Sequence, residues 1–261
     1  MLLGQPLAVV VPAYNTGPRV LRVLATLPPF VDLVVVVDDA STDDTARLLA
    51  TVTDPRVRCL RHTHNRGVGG ALATGYGAAL DLGADLVAVL AGDGQMDPED
   101  LLALAAPVAE GRADYARGDR LSHPSCARVM PWTRFLGNHI LSFLTRLATG
   151  LPGLSDSQCG YTVIARRALL SLDLGALWRR YGYPNHLLGA LVLAGWRVTG
   201  VTVAPRYGDE RSGVRLRDAL WTVPRIILWV AWARASCWLL RERRALGAGA
   251  RGVLELSRSP R

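Results

Sequence analysis

Residues 33–45 read L-V-V-V-V-D-D-A-S-T-D-D-T: five apolar residues, two aspartates, a polar turn, then helical spacing. A β-branched run this short, ended by acids, is expected to be a parallel strand buried on both faces. The same unit recurs on either side. Upstream, residues 7–11 are apolar, are stopped by Pro12, Ala13, Tyr14 and Asn15, and lead into helical spacing over 19–27. Downstream, a helix is expected over 43–51 with Ser41 or Thr42 as its cap. A third strand (57–60), a third helix (69–82) and a fourth strand (86–90) follow. Asp97-Pro98-Glu99-Asp100 then has the cap, proline and acids of another helix start. Four strand–helix units predict a mostly parallel, Rossmann-like α/β sheet with helices on both faces. Ligands of such sheets sit at the carboxyl ends of the strands. Tyr14, Asn15, Asp38, Asp39 and Asp93 should therefore meet on one edge.

The second half is less regular. Residues 127–147 are apolar and arginine-bearing, with helix expected after Pro131; 156–161 is a polar break before a short strand at 162–165. A helix is expected over 184–195 and a strand over 196–203. The 261 residues are half hydrophobic and 20% charged, which excludes disordered and collagen-like classes. All 30 basic residues are arginine; against 22 acids the net charge is +8. The charge is uneven, at −6 over residues 1–110 and +14 over 111–261. That balance points to phosphate-bearing partners or an anionic membrane face. No nucleic-acid-binding module accompanies the arginines, so no nucleic-acid partner is expected. Cys59, Cys126, Cys159 and Cys237 are scattered, without metal-type spacing, and are expected as reduced thiols. No basic region precedes the first apolar run, and residues 7–11 are expected as a buried strand rather than a leader.

A dinucleotide-binding reading fails at its decisive place. Pro12-Ala13-Tyr14-Asn15 follows the first strand where a G-x-G-x-x-G turn would be needed, and the glycines of residues 65–70 come after the third strand.

Eight short motifs in fixed order carry a different resemblance. They are V-V-V-P-A-Y-N (9–15), V-D-D-A-S-T-D-D-T (37–45), N-R-G-V-G-G-A (65–71) and G-D-G-Q-M-D-P-E-D (92–100). M-P-W-T-R-F-L-G-N (130–138), D-S-Q-C-G-Y (156–161), Y-P-N (183–185) and Y-G-D-E-R-S-G (207–213) complete the set. Together they resemble the family 2 glycosyltransferases of GT-A fold, near the dolichyl- and polyprenyl-phosphate sugar transferases. The resemblance implies inverting transfer of a sugar from a UDP- or GDP-linked donor with bound Mg²⁺ or Mn²⁺.

On that resemblance, Pro12, Tyr14, Asn15, Asp38, Asp39, Arg66, Gly67, Asp93 and Arg211 would bind the nucleotide sugar. Gly67 and Gly69 would allow close backbone approach to a ligand, or simply form a tight turn. Asp93 and Gln95 would hold the metal, with Ala91 standing where the family's first aspartate is expected. One carboxylate fewer weakens a cation site, although Mg²⁺ commonly keeps water and substrate phosphates as its other ligands. Asp97 is better read as a helix cap. Arg120, Arg134 and Asn138 match positions that contact an acceptor phosphate, where the guanidinium fork suits phosphate. The family tends to place an acid after Y-P-N; this chain has His186. His186 could be the base, could be structural, or no base is needed, because a phosphate acceptor is largely ionised at pH 7. Asp156 is a spare carboxylate nearby. Polyprenyl phosphate is the expected acceptor. The alternatives are a glycan or small-molecule hydroxyl with His186 as base, and a catalytically impaired nucleotide-sugar-binding subunit.

Domains are expected at 1–215 (the GT-A unit), 216–245 (an amphipathic, membrane-interfacial helix) and 246–261 (a loose tail). In the second of these, Leu228, Trp232, Ala235 and Leu239 form a stripe opposite Arg234 and Arg241, with Trp221, Trp229 and Trp238 close by and Arg243 and Arg244 following. Its apolar runs are too short to span a bilayer. Such a helix lies in a lipid interface or packs on the protein itself. The expected location is the cytoplasm, peripheral to the membrane's cytoplasmic face.

Overall fold

The computed structural model describes residues 1–206 and 221–236. Its first half follows the expected alternation: β1 (Leu7–Ala13), α1 (Pro18–Ala25), β2 (Leu33–Asp38), α2 (Thr45–Leu49), β3 (Val57–Arg61), α3 (Val68–Asp81), β4 (Leu86–Val89) and α4 (Leu101–Ala109). The second half comprises β5 (Tyr115–Asp119), α5 (Cys126–Val129), α6 (Trp132–Thr149), β6 (Thr162–Ala165), α7 (Arg166–Leu170), α8 (Tyr183–Leu193) and β7 (Val198–Thr202). A last helix, α9, covers 223–236.

The seven strands form one sheet in the order β3-β2-β1-β4-β6-β5-β7. β6 alone runs antiparallel, between β4 and β5, so the sheet is mixed rather than wholly parallel. Leu7, Val9 and Val11 of β1 face one core with α1 and α4, while Ala8 and Val10 face a second core with α3 and α8. Burial on both faces is what the continuous Val runs encode.

One expectation needs correction. Ser41 and Thr42 do not cap α2: Asp44 is the residue before the helix, and Thr45 N donates to Asp43 Oδ1 at 3.0 Å. Ser41 Oγ instead accepts from Asn15 N at 3.0 Å, tying the end of β1 to the loop after β2. β5, for which the sequence reading offered no element, is a fully buried strand. Its charged side chains are accommodated inside: Asp119 accepts from Ser122 and Ser155, and Arg117 is 3% exposed.

α9 docks in a groove made of small residues. A Cβ on Gly182 or Gly189 would collide with Ile226 or Val230, and between them His186 stacks on Trp229 with ring centroids 5.0 Å apart. Arg234 Nη1 approaches Leu147 O and Ala148 O at 3.4 and 3.5 Å, at the C-terminal end of α6. There a cation complements the free carbonyls. Among the described residues, no helix is long and apolar enough to cross a membrane.

Candidate active site

The carboxyl ends of β2, β1 and β4 lie side by side, as the ladder requires. Asp39 N donates to Ala13 O at 2.8 Å, and Gly92 N donates to Pro12 O at 3.3 Å. Pro12–Asn15 therefore sits between the aspartate pair and the Asp93 turn. Asn15 (φ 52°) and Ala40 (φ 60°) both take left-handed backbone at this edge, a conformation that costs energy outside glycine. Asn15 Oδ1 accepts from Thr42 N at 2.8 Å, which locks the two loops together. Tyr14 is left half exposed beside them.

The two aspartates have different work. Asp39 is 3% exposed and its carboxylate takes Nδ1 of His62 (2.7 Å), Arg66 N (2.8 Å) and Gly67 N (2.7 Å). His62 Nε2 is in turn 2.9 Å from Thr74 Oγ1 on α3. Asp39 thus shapes the 65–67 loop, and His62 is a positioning residue that sequence reading did not find. Asp38 Oδ1 accepts from Ser41 N at 2.9 Å. Its Oδ2 is buried without an aligned hydrogen bond, although Arg61 Nε stands 3.2 Å away in ion-pair range.

The glycines of the 65–71 motif are explained by the chain itself. A Cβ on Gly67 would strike Arg179 O, one on Gly69 would strike Trp178 O, and Gly69 N donates to Arg179 O at 2.8 Å. The close approach expected towards a ligand is made instead by the 178–180 backbone. That contact brings Arg179 and Arg180, both exposed, beside exposed Arg66. The two added arginines had no sequence signal, since they lie over a hundred residues downstream in a segment without periodicity.

Asp93 and Gln95 occupy the turn after β4, where Gln95 N donates to Asp93 Oδ1 at 3.0 Å. Among the described residues there is no cluster of three His, Cys, Asp or Glu side chains that could hold a metal. The donor set is one carboxylate and one amide. That fits a hard cation which draws its remaining ligands from a diphosphate and water, not a closed protein cage. Asp97 is a cap as expected: Oδ1 accepts from Glu99 N at 3.1 Å, and Oδ2 pairs with Arg206.

The 156–161 and 183–185 motifs join in one connected network with Arg120 and α6. Asp156 is fully buried and takes Arg120 Nε at 2.8 Å and Nη2 at 3.1 Å, with Gln158 N at 3.1 Å. Burial pushes its carboxyl up, but the charge and hydrogen bonds of Arg120 outweigh that and hold it below the usual range. The carboxylate expected to be spare is therefore committed to orienting Arg120. Asn185 Oδ1 accepts from Thr145 Oγ1 (3.0 Å) and Gln158 Nε2 (3.3 Å), and Ser157 N donates to Ser142 Oγ (2.8 Å). Arg134 and Asn138 share the inner side of α6 with Ser142 and Thr145 by helical spacing.

His186 does not join this network. Its ring stacks on Trp229, Nδ1 is buried without a hydrogen bond, and burial lowers its pKa. Arg211 and the rest of the 207–213 motif lie outside the described residues, as do Cys237, Trp238, Leu239, Arg241, Arg243, Arg244 and the tail.

Residues 8–172 match the family described as Glycosyl transferase family 2. The chain belongs to this family. This glycosyltransferase is 35% identical over 217 residues to an uncharacterized glycosyltransferase of Mycobacterium tuberculosis, spanning 81% of this chain and 89% of that one. It is 31% identical over 187 residues to a UDP-N-acetylglucosamine–dolichyl-phosphate N-acetylglucosaminyltransferase of Methanococcus voltae (66% and 74% covered). It is 28% identical over 230 residues to a polyprenol monophosphomannose synthase of Mycolicibacterium smegmatis (84% and 86% covered). Its fold is that of glucosyl-3-phosphoglycerate synthase from Mycobacterium tuberculosis, crystallised with Mn²⁺, UDP and glucosyl-3-phosphoglycerate. The TM-score is 0.67 at 21% identity, over 87% of this chain and 80% of that one. The family 2 glycosyltransferase thus has the GT-A architecture expected from its motifs.

Proposed function

We propose that this glycosyltransferase moves a sugar, with inversion, from a UDP- or GDP-linked donor to the phosphate of a polyprenyl phosphate. The observation that carries the reading is the Arg120–Asp156 pair. The buried carboxylate in the acceptor region is ionised and committed to a cation, and His186 is packed against Trp229. The arrangement orients a guanidinium towards an anion and offers a hydroxyl acceptor no ready base. A phosphate acceptor needs none: its oxygen attacks the anomeric carbon, the bond from that carbon to the donor's diphosphate oxygen breaks, and the nucleoside diphosphate leaves. The relatives named for dolichyl-phosphate and polyprenol substrates support the same acceptor class.

In this reading the edge formed by Pro12, Tyr14, Asn15 and Asp38 receives the nucleoside, with Asp39 and Gly67 shaping the loop that carries Arg66. Arg66 faces the diphosphate, as does Arg211 from outside the described residues. Arg120, Arg134 and Asn138 receive the acceptor phosphate. Asp93 and Gln95 would hold Mg²⁺ or Mn²⁺, which when bound neutralises charge on the departing diphosphate. The arginine-rich 216–245 segment would rest on an anionic membrane surface, placing the enzyme at the cytoplasmic face where it meets its lipid acceptor.

A panel of nucleotide sugars with Mg²⁺ or Mn²⁺, with and without polyprenyl phosphate, tests the reading by nucleotide release. Release that depends on polyprenyl phosphate is expected; release unaffected by it overturns the proposal. Ala91→Asp adds the missing carboxylate, and metal-dependent turnover should rise. Nucleotide binding without turnover in both forms would favour the binding-subunit alternative.

A further inference from the structure

Arg117 is a cation in the interior of the sheet. Alternation along β5 puts Tyr115 in the core with α3 and α8 and Ala116 in the opposite one, so Arg117 points the same way as Tyr115. It lies in register with Thr162 of β6 and Gly200 of β7, and is almost wholly buried. Its Nη2 is buried without a hydrogen bond. Among the described residues its guanidinium makes no hydrogen bond or ion pair. An arginine is rarely buried this far unless a carboxylate pairs with it. Asp119, two residues on and on the same face, is not that partner: it accepts from Ser122 N, Ser122 Oγ and Ser155 Oγ.

The carboxylate that feels Arg117 is Asp156. It is fully buried, and Arg120 grips it through N, Nε and Nη2. Burial pushes the Asp156 carboxyl up. Arg120 and, from beyond ion-pair range, Arg117 outweigh that and hold it below its usual range. The thiols of Cys126 and Cys159, both pushed up by burial, also lie within the field of Asp156 and Arg120. Asp119 lines the open cleft beside this centre, where its carboxylate opposes any anion that enters. Without Arg117 the end of β5 would hold one cation, Arg120, against two carboxylates. An apolar side chain at 117 would pack in this core without a desolvation cost. A charge kept there against that cost is a departure from core rules, and such departures gather at functional sites.

We propose that Arg117 is a positioning residue for the acceptor: its buried charge balances the second carboxylate, so that Arg120 meets the acceptor phosphate as a cation. Arg117 touches no substrate and works through Asp156 and Arg120. The Arg120 side chain is 22% exposed at the mouth of the strand, and Arg117 stands behind it inside the sheet. In that interior a unit charge acts further than it would in water. The inference rests on the phosphate-acceptor reading above and adds to it a residue that binds nothing itself.

The test compares the full chain with Arg117→Met and Arg117→Lys. Methionine keeps the unbranched stem and removes the charge, whereas lysine keeps both. Kinetics use a short, water-soluble isoprenyl phosphate and the donor that the nucleotide-sugar panel identifies. Carbon-13 NMR follows the Asp156 carboxyl, assigned by its loss in Asp156→Asn, and urea unfolding reads stability. Arg117→Met should raise KM for the isoprenyl phosphate roughly threefold to tenfold, the scale of one charge acting through protein. KM for the nucleotide sugar should not move. The Asp156 titration should shift up, and stability should hold or rise because a buried charge is gone. Arg117→Lys should restore the acceptor KM and the Asp156 titration. An unchanged acceptor KM in Arg117→Met overturns the proposal. So does a loss of stability with both KM values raised together, the mark of a merely structural residue, and so does a lysine variant that behaves like methionine. A shifted Asp156 titration, with no use of isoprenyl phosphate by any of the proteins, would sink the acceptor assignment and leave the hold of Arg117 on Asp156 standing.

Discussion

Replacing Asp156 by Asn separates a positioning carboxylate from a catalytic base. The carboxylate accepts four hydrogen bonds, from Arg120 N (3.2 Å), Nε (2.8 Å) and Nη2 (3.1 Å) and from Gln158 N (3.1 Å). Asn keeps the shape but offers one acceptor oxygen, turns an NH₂ towards the guanidinium and removes the negative charge from the pair. Breaking a buried pair costs about 3–5 kcal/mol. The Arg120 side chain keeps 22% exposure, so solvent relieves part of that cost. About 3 kcal/mol is expected, or roughly 6–12 °C in Tm for a chain of this size. Urea unfolding measures the loss. In the folded fraction, KM for polyprenyl phosphate should rise while KM for the nucleotide sugar stays put, and adding Arg120→Lys should cost little more. The pH dependence separates the roles further. Because the Asp156 carboxyl is held below its ordinary 3.8, the stability it confers is present above that value and is lost as pH falls through the lower folded one. Its titration should not appear in the rate near neutrality. Unchanged stability and acceptor KM, with a turnover loss that follows an ionisation near neutral pH, would refute the positioning role.

Other perturbations read other parts of the site. Gly69→Ala drives a Cβ into Trp178 O and displaces the hydrogen bond to Arg179 O, so a loss of about 2 kcal/mol and a raised donor KM are expected from denaturation and kinetics. His186→Ala removes the stack on Trp229 and should cost about 1 kcal/mol. Its turnover should remain near wild type, whereas loss of a general base would lower it roughly 100-fold or more. Asp114, held between Arg197 and Arg167, has a pKa lowered to about 2, chiefly by hydrogen bonds from Arg197. It should lend about 1 kcal/mol above pH ~4 that disappears towards pH ~2, discounted because both arginines are more than half exposed. Asp114→Asn should flatten that acid limb in thermal melts.

The sheet was legible where strands are buried on both faces, because continuous Val and Leu runs have no other stable home. β5 was not, because its burial rests on partners far away in sequence: Asp119 depends on Ser155, and its flank at Asp114 on Arg167 and Arg197. The reversed direction of β6 depends on which edge its chain returns to, which local pattern does not encode. At the site, strand-end residue types placed Tyr14, Asn15, Asp38, Asp39 and Asp93 on one edge, but not their roles. Asp39 faces its own loop and Asp156 faces Arg120, and both facts follow from loop closure across tens of residues. The glycines at 67 and 69 announced a close approach without naming what approaches. α6 showed apolar and polar residues in sequence, yet only packing revealed that the polar side is the buried one.

The acceptor assigned to this enzyme is a phosphate, not a hydroxyl. Matched reactions with polyprenyl phosphate and the corresponding polyprenol, under one nucleotide sugar and Mn²⁺, put it to the most direct test by mass spectrometry of the lipid product. A polyprenyl-phosphate-linked sugar is expected, its anomeric centre inverted relative to the donor, with no product from the alcohol. Comparable glycosylation of the alcohol would contradict it.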